Sequence, residues 1–386
     1  MVKIFVTDGR SLAALAIARS LGEKGFEVHC GEEFRYNLTF FSKYVKKRIV
    51  YPSPEKQSDQ FINEIKKEKY NMIIPVRDET TILFSKYKDE ILKYTNLYLA
   101  DYETIKKLMD KGETVKIAKK CGVPVPKTYF PEEMDIKEIK KCVEYPVLIR
   151  PRISSGARGI RYVDSPEKFD NAYYEVKKEY GEPIVQEYIS HDGGHYSIGT
   201  LFNDNSEPVA VHVYKETKQY PISGGPAVNA ISVEKDVWVD NMLQILKYVD
   251  WKGPAHMDVL WDPASNTPRL LEVNPRFWMT LNLSIKSGVD FPYILYMLAI
   301  GETVEPIKSY KVGLRYRWVL PNEILWLMQT PNKIDGFREF INFWEKDTCY
   351  GILSLEDPMP IIGTILQGLN FILDSDKRKF MFKRGW

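Results

Sequence analysis

The chain has 386 residues, enough for two or three domains with their own cores. A net charge of +2 gives no bulk attraction for nucleic acid, and no apolar run reaches the roughly 20 residues a membrane-spanning helix needs. Its four cysteines, Cys30, Cys121, Cys142 and Cys349, form no C-x-x-C pair; they suggest neither a zinc module nor a disulfide framework and read as free thiols of a cytoplasmic protein.

The N-terminal Met-Val-Lys-Ile-Phe-Val opens a strand from Val2 to Thr7 and lacks the regions of a secretory leader. Asp8-Gly9-Arg10 turns the chain. Ser11 caps a helix with Leu12, Leu15, Ala16 and Leu21 at helical spacing; Gly25 ends it, and Phe26 to Cys30 is the next strand. This βαβ opening implies a parallel sheet. A helix from Gln60 to Lys69 and a strand from Asn71 to Val76 follow. Arg77 and Asp78 then fall beyond the carboxyl end of a strand, where open α/β sheets bind substrates, although a solvated loop accounts for them as well. The turn Asp8-Gly-Arg-Ser-Leu-Ala lacks the G-x-G-x-x-G fingerprint of a dinucleotide site.

A second unit starts near Asp110-Lys111, with a helix from Glu113 to Cys121 ended by Gly122 and Val123-Pro-Val-Pro126. Strands Pro146–Arg150 and Ile160–Val163 flank Pro151-Arg-Ile-Ser-Ser-Gly-Ala-Arg-Gly159. Backbone N–H groups of such a tip, including those of Ser154, Ser155 and Gly156, can cradle phosphate oxygens while its two arginines supply charge. A helix from Lys168 to Glu179 leads to the strand Pro183-Ile-Val-Gln-Glu-Tyr-Ile189 and to His191-Asp-Gly-Gly-His195. Strands Tyr196–Phe202 and Val209–Val213 are antiparallel across Asn203-Asp-Asn-Ser206. Lys215 and Lys218 precede Ser223-Gly-Gly225 and read either as a solvated strand end or as phosphate contacts.

After a helix from Lys235 to Tyr248 comes the most informative segment. Ala255–Trp261 and Leu270-Leu-Glu-Val-Asn-Pro-Arg276 read as two strands joined by the turn formers Asp262-Pro-Ala-Ser-Asn-Thr-Pro268. Glu272 and Asn274 point to one face. If Trp261 pairs with Arg269, Asp258 falls opposite Glu272. Two carboxylates facing across a ladder repel unless a positive group lies between them. A hard cation held by carboxylate and amide oxygens removes that conflict, and Mg²⁺ bound this way also takes oxygens from phosphates.

The order of motifs resembles the ATP-grasp superfamily, in particular its carboxylate–amine ligase and carbamoyl-phosphate-synthase-like branch. The resemblance rests on the lysine before a helix ending in Gly-Val-Pro-Val-Pro, the glycine-rich flap, Val-Gln-Glu-Tyr-Ile, Glu-Val-Asn-Pro-Arg with its spacing from Asp258, and Ser287-Gly-Val-Asp-Phe-Pro292. It covers roughly residues 1–305 and implies an α/β and α+β fold, with a Rossmann-like pre-ATP-grasp domain over 1–110 and an ATP-grasp domain over 111–305; residues 306–386 lie beyond it and read as a C-terminal helical extension. The flap-bearing subdomain would span about 125–190 and the metal-bearing one about 191–305. By the same resemblance, Lys111 and Arg150 touch the ATP phosphates, and Gln186, Glu187, Tyr188 and Ile189 receive adenine. Asp258, Glu272 and Asn274 ligate one or two Mg²⁺ or Mn²⁺ ions, and Arg276 stands by the transferred phosphate and the acyl substrate. Two positions depart from the family: Arg150 replaces a lysine, and His195, with Asp192 nearby, stands where an acid usually meets the ribose. The implied reaction activates a carboxylate as an acyl phosphate, which an amine then attacks, with ADP and phosphate released. Alternatives are a carboxylase or carbamoyl-phosphate type of enzyme on the same fold, and a nucleotide-binding regulatory protein without turnover.

The five histidines, His29, His191, His195, His212 and His256, show no metal-ligand spacing and read as structural, His195 the least so; Trp251, Trp261 and Trp278 read as core. Beyond Pro306, Ile361, Ile362, Ile365, Leu366, Leu369, Ile372 and Leu373 fall on one helical face, followed by Lys377-Arg-Lys379 and Lys383-Arg384. A helix packed on the catalytic body or on the second subunit of a homodimer fits this pattern. So does a peripheral helix lying on an anionic membrane.

Overall fold

The computed structural model describes residues 1–373 apart from Ser155, Ser223 and Trp344. Strands β1 (Lys3–Val6), β2 (Glu27–Glu32), β3 (Val45–Val50) and β4 (Met72–Ile74) form a parallel sheet in the order β3-β2-β1-β4. The predicted parallel opening is present. The helix Leu12–Glu23 is capped by Ser11, whose side chain accepts from the Ala13 N–H. Strand β3 escaped the sequence reading because Lys46, Lys47 and Arg48 are all exposed, which hides any alternation and suits an edge strand. The predicted helix Gln60–Lys69 is instead Ser58–Ile65, since its last buried apolar side chain is Ile65. At the turn after β1, Asp8 has φ 62°, and its carboxylate accepts from the Thr80 hydroxyl (2.6 Å) and the Arg77 N–H (3.0 Å). A carboxylate thus occupies the strand end where a dinucleotide fold has glycine.

Strands β5 (Thr128–Tyr129), β6 (Val147–Arg150), β7 (Arg161–Val163) and β8 (Ile184–Glu187) make a small antiparallel sheet in the order β5-β8-β6-β7. It has its own core, in which Val147, Ile149 and Val185 meet Ile139 and Phe169. The large sheet comprises β9 (His195–Phe202), β10 (Pro208–Gln219), β11 (Ala227–Val233), β12 (Gly253–Asp262), β13 (Thr267–Asn274), β14 (Arg315–Arg317) and β15 (Thr348–Tyr350), in the order β13-β12-β9-β10-β11-β14-β15. Residues past 305 form helices, including Pro360–Leu373, but they also contribute β14 and β15. Among the described residues no helix is long and apolar enough to cross a membrane.

One continuous apolar cluster includes Phe5 and Phe61 beside the parallel sheet, Leu108 and Val115 from the helices that follow, and Met257 and Leu270 from β12 and β13. Burying these side chains together fixes the carboxyl edge of the first sheet against the β12–β13 hairpin. Trp251 and Trp278 are core, as predicted. Trp261 is half-buried and donates to Asn266 at 2.9 Å.

Candidate active site

Strand alternation puts one polar row on one face of the large sheet: His195 and Ser197 on β9, Glu216 on β10, His256 and Asp258 on β12, Glu272 and Asn274 on β13. Asp258 and Glu272 are direct register partners. The reason differs from the one expected. Trp261 pairs with Pro268, not with Arg269, so the hairpin starts one residue out of the assumed register. A β-bulge between Asp258 and Val259 on β12, where Leu271 is the extra residue on β13, restores it. Without that bulge Glu272 would face away from Asp258.

Electropositive groups stand where the two carboxylates would repel. The Asn274 amide nitrogen donates to Asp258 (3.0 Å) and Glu272 (3.3 Å). Lys111 Nζ and Arg150 Nη2 each lie 3.3 Å from Glu272 Oε2. Burial pulls the Glu272 carboxyl up, but the two cations and the hydrogen bonds outweigh it and hold the group well below the usual carboxylate range. Burial likewise lowers the Arg150 guanidinium, against the pull of Glu272 and Asp258. Lys111 opens the helix Lys111–Lys120, capped by Asp110, and its ammonium also donates to the Ser154 carbonyl at 2.6 Å, tying the helix to the flap.

Arg276 Nε donates to Asp78 at 2.7 Å, and Nη2 donates to Asn274 Oδ1 at 3.2 Å. The start of the helix Asp78–Lys86, which follows β4, therefore touches the end of the β12–β13 hairpin. Burial disfavours the Arg276 charge, yet Asp78, Asp258 and Glu272 reverse this and raise its pKa above the ordinary guanidinium value. His195 Nε2 stands 3.8 Å from Asp258 Oδ1, and Nδ1 stands 3.7 Å from Glu216 Oε2. His195, Glu216 and Asp258 bring three possible ligand atoms within 4.8 Å of one another. Desolvation raises the Glu216 carboxyl, which accepts from Ser197 (3.0 Å) and Gln219 (2.7 Å).

Two expected residues, Lys218 and Arg77, turn to partners outside this row. Lys218 turns away: its ammonium sits 2.7 Å from Glu339, 3.5 Å from Glu323 and 4.2 Å from the Trp326 ring centre. Two register irregularities between β10 and β11 break the alternation there, so Glu216 and Gln219 both face His195 while Lys218 does not. Sequence spacing pointed to neither Glu216 nor Gln219; an unbroken strand would have parted them. The Gln186 amide is engaged at both ends, by Arg150 (2.6 Å) and by Thr128 (2.9 Å), so it steadies Arg150 instead of facing a base. Glu187 accepts from the Lys127 N–H at 2.6 Å. Tyr188 lies edge-on to Tyr162, and Ile189 is buried. Arg77 turns to Glu79 at 3.0 Å, leaving Asp78 at the site. Arg152, one of the two flap arginines, is held by Asp110, Glu113 and Glu132. Gly156 takes a φ of 65° in the flap; Ser155 lies outside the described residues.

Residues 108–280 match the family model of the ATP-grasp domain. This part of the chain is an ATP-grasp domain. The chain is similar to the D-aspartate ligase of Enterococcus faecium, with 25% identity over 240 residues, 56% of this chain and 56% of that protein. It is also similar to the N-terminal section of the carbamoyl phosphate synthase large chain of Methanopyrus kandleri, with 24% identity over 229 residues, 55% of this chain and 40% of that one. The chain thus spans about half the length of these curated relatives. Among solved structures, a biotin carboxylase complex from Campylobacter jejuni superposes with a TM-score of 0.68 at 17% identity, over 82% of this chain and 74% of that one. At that identity the likeness concerns the fold alone, and it extends beyond the span of the family model.

Proposed function

We propose that the protein is an ATP-dependent ligase that activates a carboxylate as an acyl phosphate and couples it to an amine, releasing ADP and phosphate. The observation that carries this reading is the Asp258–Glu272 pair, bracketed by Asn274, Lys111 and Arg150 within 3.3 Å. Such a set of hard oxygen donors beside fixed cations suits a divalent ion and a polyphosphate. Two buried polar atoms around it, Arg150 Nε and His195 Nε2, have no hydrogen-bond partner, which fits a crevice built for an oxygen-rich ligand. Asp258, Glu272 and Asn274 would hold Mg²⁺, which when bound supplies neutralisation of phosphate charge.

The chain's own residues do the rest. Lys111 and Arg150 bind phosphate oxygens, and Gln186 keeps the Arg150 fork in place. His195, on the same face, is the ribose-side contact. Arg276, steered by Asp78, orients the carboxylate whose oxygen attacks the γ-phosphorus as the bond to the ADP oxygen breaks. The flap over residues 151–159 keeps water from the acyl phosphate. The amine nitrogen then attacks the acyl carbon, the C–O bond breaks, and phosphate leaves as the nitrogen loses its proton. Positioning and charge cancellation suffice for such a transfer, so no protein nucleophile is required. The similarity to a D-aspartate ligase favours an amino acid or a similarly small acid as one substrate. The domain limits proposed for this machine are those read from the sequence, 1–110, 111–305 and 306–386.

A phosphate-release screen over pairs of carboxylates and amines tests the reading. ADP and phosphate are expected only when both partners are present, and Glu272→Ala should lower the rate by at least about a hundredfold. Turnover with bicarbonate alone would reassign the reaction to carboxylation chemistry; AMP and pyrophosphate as products would refute the acyl-phosphate route.

A further inference from the structure

His256 reads as structural in the sequence, yet the fold sets it in the catalytic row. It lies on β12 directly opposite Asn274 and two residues from Asp258. Residues so paired have Cβ atoms about 5 Å apart, which puts the imidazole beside the amide that accepts from Arg276. The residue is only 7% exposed, and its ring is clamped. Tyr214 and Trp278 stack on it, with centroids 6.2 Å and 5.7 Å away and interplanar angles of 19°. Nε2 stands 2.8 Å from the Tyr214 hydroxyl. Nδ1 makes no hydrogen bond among the described residues; the carboxylate oxygen Asp258 Oδ1 stands 3.9 Å away.

That geometry fixes the proton. An Nδ1 lone pair beside the Asp258 carboxylate would be repelled, whereas an Nδ1–H is attracted; the Tyr214 hydroxyl then donates to Nε2. A protonated ring carries the same Nδ1–H, so the donor is present in either charge state. Packing accounts for Nε2 and for the stacked faces, but it gives Nδ1–H no acceptor, and a buried donor left without one is unfavourable. Arg276, held by the same Asn274, orients the substrate carboxylate, so an oxygen of that acyl group is the acceptor the two donors can share. Resting on the ligase reading above, we propose that His256 is a catalytic hydrogen-bond donor that holds the acyl oxygen through Nδ1–H as the amine attacks. The amine nitrogen bonds to the acyl carbon, and the C=O pair moves onto the oxygen, where Nδ1–H and Arg276 stabilise its charge. The pair returns as the C–O bond to the phosphate breaks, and the departing phosphate takes the proton from the nitrogen. Tyr214 is a positioning residue that keeps the proton on Nδ1.

Two partial reactions test this, run with the carboxylate that the phosphate-release screen selects. ATP carrying heavy oxygen in its β–γ bridge scrambles the label when the γ-phosphoryl passes reversibly to the carboxylate with no amine present. Hydroxylamine, added as the amine, then yields a hydroxamate. His256→Phe keeps a stacking ring but no donor; it should lower hydroxamate formation at least about a hundredfold while scrambling changes less than about threefold. His256→Asn, whose amide nitrogen falls near the place of Nδ1, should return to within about tenfold of the wild type. Tyr214→Phe should lower hydroxamate formation about tenfold with the carboxylate KM unchanged. An Asn variant no better than the Phe variant overturns the proposal. So does equal loss of both partial reactions in a His256 variant whose thermal midpoint matches the wild type. Wild-type protein that neither scrambles the label nor forms hydroxamate overturns the ligase reading itself, and the role of His256 with it.

Discussion

At the residue scale, the decisive contacts join side chains far apart in sequence. Arg276 meets Asp78 across 198 positions and Glu272 meets Arg150 across 122. In the proposed reaction Asp78 acts by aiming the Arg276 guanidinium. Asp78→Ala is expected to lower kcat/KM for the carboxylate substrate by about ten- to a hundredfold, while the KM for ATP shifts less than about threefold. Steady-state kinetics with each substrate varied in turn checks this, and an equal rise in the ATP KM would place Asp78 in the nucleotide site instead. Glu32 provides a separate test. Burial lifts its carboxyl from 4.5 to about 7 against the pull of Arg10. A raised acid holds its proton more tightly in the folded state than in the unfolded chain. Stability therefore falls as pH rises from about 4.5 to about 7 and levels off beyond. Glu32→Gln cannot ionise, so that fall, up to about 3 kcal/mol for a shift of this size, should vanish in the variant. Urea unfolding at about pH 4 and about pH 8 reads it. A variant whose stability declines over the same window as the wild type contradicts this account.

At the element scale, strand identity could be read and strand irregularity could not. Alternation and turn formers revealed β12 and β13, and the assumed Trp261–Arg269 register put Asp258 opposite Glu272, as observed, although the hairpin itself starts one residue out. The bulge at Leu271 that makes the pairing possible has no signature, because leucine suits a regular strand as well as a bulged one. The irregularities between β10 and β11 misdirected Lys218 and concealed Glu216 for the same reason. Backbone hydrogen bonding across neighbours sets such features, and one strand's sequence does not carry them. Close packing adds another constraint. Gly199 on β9 leaves room for the Trp278 ring, which an added Cβ would approach to 2.1 Å. That ring stacks on His256, two residues from Asp258. Gly199→Ala should therefore cost at least about 2 kcal/mol and weaken nucleotide binding with it. Chemical denaturation checks the first part; a loss below about 0.5 kcal/mol would mean that the tryptophan moves aside freely.

At the scale of the whole molecule, the segment around Ile352 and Asp357 is built into the body. Arg19, in the first helix, donates to the Asp357 carboxylate at 2.9 Å and to the Ile352 and Asp357 carbonyls; the Ser42 hydroxyl and the Lys43 N–H also bond Asp357. Both ion-pair partners are buried. Removing one leaves the other charge uncompensated, so Asp357→Ala should destabilise the protein by about 3–5 kcal/mol. A midpoint within experimental error of the wild type in guanidinium unfolding would show that the charge finds water. The sequence by itself determined the α/β opening, the flap, the carboxylate–amide row and the family, because each rests on residue types at short, regular spacing. Only the tertiary structure decided which cations meet Glu272, what steers Arg276 and where Lys218 points. Those outcomes depend on how separate segments pack together, a property no local pattern contains.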